Sequence, residues 1–572
     1  MKSSDAVALY LARHSIDYCY EVAGGMITHL LDSLSKQERT TITSMHHEQA
    51  AAFAAEGIAR CTRGRELGLA MGTSGPGATN LITGIGSCWF DSIPCLFITG
   101  QVNKSELKGS RGVRQQGFQE LDIVPLVSSI TKYAVQVTDA KDLLPQLHKA
   151  ANIAISGRNG PVLLDITFNA QREEIEDEEA LAWAAKKWEW PKPSVGGEPT
   201  WLSELSLMFR RSRRPLVMIG GGAVWADSLD KWVDMMKTLG IPYVSTLMGA
   251  QWLTRSSCYF GMMGTYGKRM ANWAVQNCDL LLVVGARMDV RQTGAMVEDF
   301  ARSADIVQVD IDPSQLDNRI KTNLNINCSA EEFFRNVLAG DGLQWGVSQE
   351  WMKRLKKTKA KLDVDEYHVP GITPHRLFRV LNKTFEGERV SYVADVGNHQ
   401  MWAATLLDLD RGQSAHYCGG MGSMGFGLPV SIGVAMKSGG KVVNIAGDGS
   451  IQMNLQELDT IKRLDLDLTV LVLNNHCLGM VKSFQDAYFE GRNQSTVTGY
   501  GHPDFVKVAR AFGMKARKAT TVEELQKALR EAKDQSHPML IDVEITLGDV
   551  CRPRLLFGCK LDEQKPDLKS RA

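Results

Sequence analysis

The sequence predicts an α/β protein with three doubly wound domains, each built on a parallel sheet. Two observations carry that expectation. Apolar runs without polar alternation recur along the chain at 67–71, 215–219, 280–284, 441–446 and 468–473, several of them ending in a glycine-rich turn. Such runs suit strands covered on both faces, as in parallel sheets with helical crossovers. The second observation is size: 572 residues exceed what one core holds, and many of the 52 glycines fall at strand–helix junctions.

The blocks follow in order. The first covers about 1–180 and closes on the apolar run 161–166. A charged, Trp-rich stretch at about 181–201 follows, with Pro191, Pro193 and a Gly-Gly pair, a composition expected of a linker. The second block covers about 202–345 and the third about 346–546. The last residues, about 547–572, are rich in Lys, Arg, Asp and Pro and read as an arm or lid.

Composition excludes several classes. Lys+Arg and Asp+Glu both number 65, so nothing favours nucleic acid or an anionic membrane surface. Eleven cysteines show no CxxC pair and no zinc spacing, which suits a reducing, cytoplasmic setting. The N-terminus leads into an amphipathic helix without a signal core. No apolar stretch is long enough to span a bilayer.

The chemistry concentrates in the third block. Gly447-Asp448-Gly449-Ser450 ends one strand and Asn474-Asn475 ends the next, with helical spacing at 451–464 between them. Asp448 and Asn475 therefore meet at the carboxyl ends of neighbouring strands, where open α/β sheets bind ligands. A carboxylate and an amide oxygen there suit Mg2+, and the glycines let backbone approach a diphosphate closely. In the first block, His46-His47-Glu48-Gln49 precedes a helix expected at 51–60. The loop Thr73-Ser74-Gly75-Pro76-Gly77-Ala78-Thr79-Asn80 opens another and offers bare N–H groups. On these residues alone, Glu48 reads as a helix N-terminal charge; the flanking histidines read as structural.

In combination these runs resemble thiamin diphosphate-dependent enzymes. The resemblance implies that Asp448, Asn475 and the carbonyl of Cys477 hold Mg2+, and that Gly447, Gly449 and Ser450 border the diphosphate. It implies that Glu48 hydrogen-bonds the aminopyrimidine and promotes loss of the thiazolium proton. Gly397-Asn398-His399 and Gly420-Met421-Gly422-Ser423-Met424 are similar to the family's cofactor-bending and diphosphate segments, with Gly422 and Met424 at the cofactor. Phe118 and Gln119 resemble the loop facing the reacting carbons, with backbone near Gly25 helping to polarise them. Met480, in Gly479-Met480-Val481-Lys482, resembles the acceptor-side segment.

The middle block is similar to that of FAD-containing acetohydroxyacid (acetolactate) synthases. Arg158, Gly221, Met262, Gly285, Arg287, Asp289, Arg291, Asp310 and Asp312 would border or hold FAD, and Arg291 would also meet an acceptor carboxylate. The implied architecture is a pyrimidine-binding domain, a central FAD-type domain and a diphosphate-binding domain. The implied activity is decarboxylation of pyruvate with transfer of the two-carbon unit to a carbonyl acceptor, by a homodimer or homotetramer with sites completed across subunits.

Departures fall on the acceptor side. The family's Gly-Tyr-Pro-Gly-Gly is here Glu21-Val22-Ala23-Gly24-Gly25, a family Lys corresponds to Phe168, and a Trp that helps select the larger ketoacid acceptor is Phe484. These point toward a ketone acceptor such as a nucleotide-linked keto-sugar. The alternatives are a branched-chain acetohydroxyacid synthase, a ketoacid decarboxylase or carbon–carbon hydrolase on the same scaffold, and a homologue with a dead site.

Overall fold

The computed structural model describes residues 1–190, 199–339, 349–365, 367 and 369–568. Pro191, Pro193 and the Gly-Gly pair lie outside them. Three six-stranded sheets form, and every strand pairing within them is parallel.

The first sheet runs, in spatial order, Thr41–Ser44, Tyr18–Glu21, Gly68–Gly72, Cys95–Gln101, Val162–Thr167, Tyr133–Val137. The third runs Ser414–Tyr417, Val390–Ala394, Lys441–Gly447, Leu468–Asn474, Met539–Glu544, Lys515–Ala519. Counted within each sheet, both have the order 2-1-3-4-6-5. The middle sheet runs Tyr259–Met262, Tyr243–Ser245, Pro215–Ile219, Leu280–Val284, Asp305–Asp310, Leu324–Asn327, an order of 3-2-1-4-5-6. That is the order of dinucleotide-binding folds.

The predicted central strands are buried along their length, as non-alternating apolar runs require. Helix Glu48–Cys61 starts earlier than its apolar pattern suggests, because the ring of His47 accepts the Gln49 N–H and caps it. The helical spacing at 451–464 resolves into a 3-10 turn, Ile451–Asn454, and a short helix, Glu457–Arg463.

The first and third sheets are docked through two helices, Glu48–Cys61 and Gly427–Ser438. Their glycines allow backbone contact: a Cβ on Gly433 would lie 2.0 Å from the Ala54 carbonyl oxygen, and one on Gly57 would lie 2.6 Å from that of Val430. Beside this seam, buried Arg60 bonds Glu56 at 2.6 Å and Asp91 at 2.5 Å. Burial pushes the Glu56 carboxyl up against the pull of the guanidinium.

Packing shifts two expected boundaries. The expected linker is not free as far as 190: helix Asp177–Ala185 buries Ala180 and Ala184, and Trp188 donates to the Tyr10 hydroxyl at 2.8 Å while stacking on His14. Helix Gln349–Leu362 packs on the middle sheet, with Trp351 donating to the Pro215 carbonyl and Leu355 in the same core. The arm also lies on the middle domain, where Leu555 N–H bonds the Thr265 carbonyl and Asn272 bonds that of Leu561. No described helix is long and apolar enough to cross a membrane.

Candidate active site

In each sheet the chain reverses its winding direction between two strands, and the loops leaving those strands form a crevice. The candidate residues gather there. In the third sheet the reversal lies between Val390–Ala394 and Lys441–Gly447, and Leu468–Asn474 delivers Asn475 alongside.

Asp448 is 1% exposed, and its Oδ2 accepts the Tyr500 hydroxyl at 2.8 Å. Burial raises its pKa, opposed by Tyr500 and His502 and by the Asn475 N–H. The Asn475 side chain is oriented at both ends: Nδ2 donates to the Gly548 carbonyl at 2.6 Å and Oδ1 accepts the Cys477 N–H at 3.2 Å. The Cys477 carbonyl accepts the Gly479 N–H at 3.0 Å. Among the described residues, no three His, Cys, Asp or Glu side chains cluster to hold a metal. A cation here would rely on one carboxylate, an amide oxygen, a backbone carbonyl and ligand oxygens, a donor set that fits Mg2+.

The surrounding turn has little room for side chains. A Cβ on Gly397 or Gly447 would lie 2.6 or 2.9 Å from the His399 ring. His399 faces the Ser450 hydroxyl at 3.5 Å, and burial pushes it down to about 3, so it is neutral. Asn398 donates to the same Gly548 carbonyl as Asn475. Gly422 has φ +68 and open space where a side chain would project. The Met424 methyl lies 3.6 Å from where a Cβ on Gly449 would stand. Sequence reasoning missed Asp395, which accepts N–H groups of Val396, Gly425 and Gly427 at 2.7 to 3.0 Å. It thereby joins the Gly397 turn to the Gly422–Met424 loop, although burial pushes it up to about 6.

In the first sheet the reversal lies between Tyr18–Glu21 and Gly68–Gly72. The loop through Gly25 meets the loop through Thr73, whose hydroxyl accepts the Met26 N–H at 3.3 Å. Gly25 faces open space. Glu48, at the start of its helix, is buried and accepts the Asn80 amide at 2.9 Å. Gln119 has φ +61, and its carbonyl lies 3.0 Å from where a Cβ on Gly75 would be. Phe118 beside it is 79% exposed. His46 bonds Asp459 at 2.9 Å, which with the His47 cap gives both histidines structural partners. Among the described residues, no hydrogen bond or ion pair links Glu48 to the Asp448 turn.

In the middle sheet the reversal lies between Pro215–Ile219 and Leu280–Val284, where Gly221 and Gly285 stand. A Cβ on Gly285, at φ +62, would lie 2.6 Å from the Ala223 nitrogen. Arg158 reaches across from the first domain to Asp312 at 3.1 Å, and the Asp312 N–H bonds Asp310 at 3.0 Å. Burial raises the Asp310 carboxyl. Arg287 lies 3.4 Å from Asp289, whose carboxylate also caps helix Val290–Thr293 by accepting the Arg291 N–H. The Arg291 side chain is exposed. Met262, expected beside FAD, is 3% exposed and belongs to the third domain's buried cluster.

On the acceptor side, Met480 opens helix Gly479–Tyr488 and packs on the third domain's core. Phe484, Tyr488, Phe489 and Phe557 of the arm form an exposed ring cluster, with centroids 4.7 to 6.3 Å apart.

Comparison with known proteins decides the lineage. Family models of thiamine pyrophosphate enzymes match residues 1–126 as the N-terminal TPP binding domain, 202–337 as the central domain and 395–543 as the C-terminal TPP binding domain. The chain belongs to the thiamine pyrophosphate enzyme family. Within it, the chain is similar to the acetolactate synthase large subunit of Cyanidium caldarium, 31% identical over 96% of this chain and 94% of that protein. A probable acetolactate synthase large subunit of Methanocaldococcus jannaschii is 33% identical over 95% and 92%, respectively. The acetolactate synthase large subunit of Haemophilus influenzae is 32% identical over 98% of each. In this thiamine pyrophosphate enzyme the central matched segment contains all of the middle sheet, and the other two contain most of the first and third.

Proposed function

We propose that this enzyme decarboxylates pyruvate and joins the two-carbon unit to a carbonyl acceptor, in the manner of acetolactate synthases. The observation that carries the reading is the oxygen donor set of Asp448, Asn475 and Cys477 at one switch point, beside glycines that leave backbone bare. These residues would hold Mg2+, with Gly447, Gly449 and Ser450 at the diphosphate and Gly397, Asn398, His399, Gly422 and Met424 around the rest of the cofactor. Bound there, thiamin diphosphate supplies the electron sink that lets a 2-ketoacid lose carbon dioxide.

The chain's own groups supply proton handling, orientation and water exclusion. Glu48, steadied by Asn80, holds a proton against the aminopyrimidine. Gln119 and the backbone near Gly25 donate to the reacting oxygens. Phe118, Met480 and Phe484 keep water from the reacting carbon, which it would otherwise protonate to free aldehyde. As the resemblance to the family implies, a second copy completes the two halves, giving a homodimer or homotetramer. Arg158, Gly221, Gly285, Arg287, Asp289, Asp310 and Asp312 would hold FAD, a reading supported by the dinucleotide-type strand order. Arg291 is exposed toward an acceptor carboxylate or its equivalent.

The acceptor is a ketoacid or, given Phe484 and the ring cluster around it, a ketone such as a nucleotide-linked keto-sugar. The test supplies pyruvate, thiamin diphosphate, Mg2+ and FAD, with and without added ketones and keto-sugars. Rapid acetolactate from pyruvate alone identifies an acetolactate synthase. Slow pyruvate loss that a ketone accelerates, yielding a branched tertiary alcohol, identifies a ketone carboligase. Free acetaldehyde as the sole product, whatever the acceptor, would overturn the carboligase reading.

A further inference from the structure

We propose that Tyr500 is the positioning residue of the cation site, its hydroxyl selecting which oxygen of Asp448 is left to face the metal. The inference rests on the reading of Asp448, Asn475 and Cys477 as that site. A carboxylate turns readily about its last torsion, whose energy profile is broad and two-fold. An unrestrained Asp448 would present either oxygen. Here Oδ2 is engaged by the Tyr500 hydroxyl at 2.8 Å. Hydrogen bonds to ionised carboxylates are among the strong ones, and partners of this kind fix ligand orientation at metal sites.

The segment carrying Tyr500 touches the Asp448 turn, the turn after Asn475 and the acceptor-side helix. Gln452 bonds both the Asp448 carbonyl at 2.9 Å and the Gly501 carbonyl at 3.3 Å. The Leu478 N–H, in the turn after Asn475, bonds the Thr496 carbonyl at 3.0 Å. Gln485, on the acceptor-side helix, accepts the Thr496 hydroxyl at 2.5 Å and donates to the Gln494 carbonyl at 3.0 Å. Tyr500 is thus held by the same turns whose carboxylate it orients, which is what a fixed second layer around a metal requires.

The experiment uses full-length protein stripped of metal and cofactor. Mg2+ is titrated at saturating thiamin diphosphate and followed by intrinsic tryptophan fluorescence. Tyr500→Phe removes one hydroxyl and keeps the ring. Its expected effect is Mg2+ binding weakened about 10- to 100-fold, with the melting temperature of the metal-free protein unchanged. Binding within about twofold of the parent would overturn the proposal. Thr496→Val cuts one of the segment's two ties to Gln485 without touching Asp448, and its expected Mg2+ affinity is that of the parent. An equal weakening by Thr496→Val would assign the effect to loop order and overturn the role of the hydroxyl. Asp448→Asn is measured alongside: if it too binds Mg2+ like the parent, the cation-site reading itself fails, whereas a loss in Asp448→Asn with none in Tyr500→Phe removes only the positioning role.

Discussion

The first and third sheets have one strand order, one switch point and one style of glycine loop, yet they hold opposite chemistry. At the first, the buried acid Glu48 is steadied by the Asn80 amide, and Gly25 faces open space. At the third, Asp448 is surrounded by Tyr500, Asn475 and the Cys477 turn, an arrangement for cations and phosphates. Topology fixes where a site forms, and the loop residues decide what it does. The largest effect should therefore separate the two halves. Glu48→Gln is expected to retain thiamin diphosphate and lose about 10²- to 10⁴-fold in turnover. Asp448→Asn is expected to lose the cofactor at ordinary Mg2+ concentrations. Fluorescence titration beside steady-state rates checks this. Loss of cofactor by Glu48→Gln, with normal turnover of whatever stays bound, would break the division of labour.

The two halves are also tied mechanically. Asp91, on the first domain, accepts the N–H groups of Gly419 and Gly420 at 3.1 and 2.7 Å, at the start of the loop leading to Gly422 and Met424. Its partner Arg60 lies in the last turn of the helix that Glu48 begins. Asp91→Ala leaves the buried guanidinium with Glu56 alone and two loop amides without their acceptor. Removing one member of such a buried group costs about 3–5 kcal/mol. Chemical denaturation should show that loss, and the thiamin diphosphate affinity should fall with it. Full stability in Asp91→Ala would mean that the glycine seam at Gly57 and Gly433 holds the domains by itself.

The difference between the halves also sets how much the sequence discloses. The turns around Asp448, Asn475 and Glu48 are contiguous strand–turn–helix runs, so their residue types and spacing are enough to propose the site. The supports are not contiguous. Asp91 meets Gly419 across 328 positions, and Tyr500 reaches Asp448 through a segment with no pattern of its own. Met262 ends an edge strand, and only the docking of the third domain against it makes it core. Helix Gln349–Leu362 looks like part of the following domain until Trp351 finds the Pro215 carbonyl. In each case long-range packing overrides the local pattern.

A smaller effect tests the acceptor side of the comparison. Phe484 packs against Tyr488 and Phe557, and Phe557 is 67% exposed. Phe484→Trp is expected to shift acceptor preference toward the larger 2-ketoacid by about tenfold, the size of a modest change in an apolar pocket. Product ratios from pyruvate with 2-ketobutyrate measure it. An unchanged ratio would place acceptor choice elsewhere, in the arm or at Arg291.

The smallest effect concerns Glu21, where the family places glycine. It ends the strand leading to Gly25, is 1% exposed, accepts the Ser44 hydroxyl at 2.5 Å through Oε1 and has no partner for Oε2 among the described residues. Burial raises its pKa and the Ser44 bond only partly offsets this. The sign follows from linkage. A carboxyl whose folded pKa lies above the unfolded value near 4.3 favours folding while protonated, and that stabilisation is lost as pH rises through the folded pKa. Once ionised, Glu21 carries a desolvated charge. Glu21→Gln keeps the shape and removes the charge, so its melting temperature should exceed the parent's at pH 7.5 and match it near pH 4. An equal gain at both pH values would mean that the amide packs better and that charge is not the cause. A loss at pH 7.5 would mean that the ionised form is held by something the first half-site needs, and would bring its chemistry closer to that of the third.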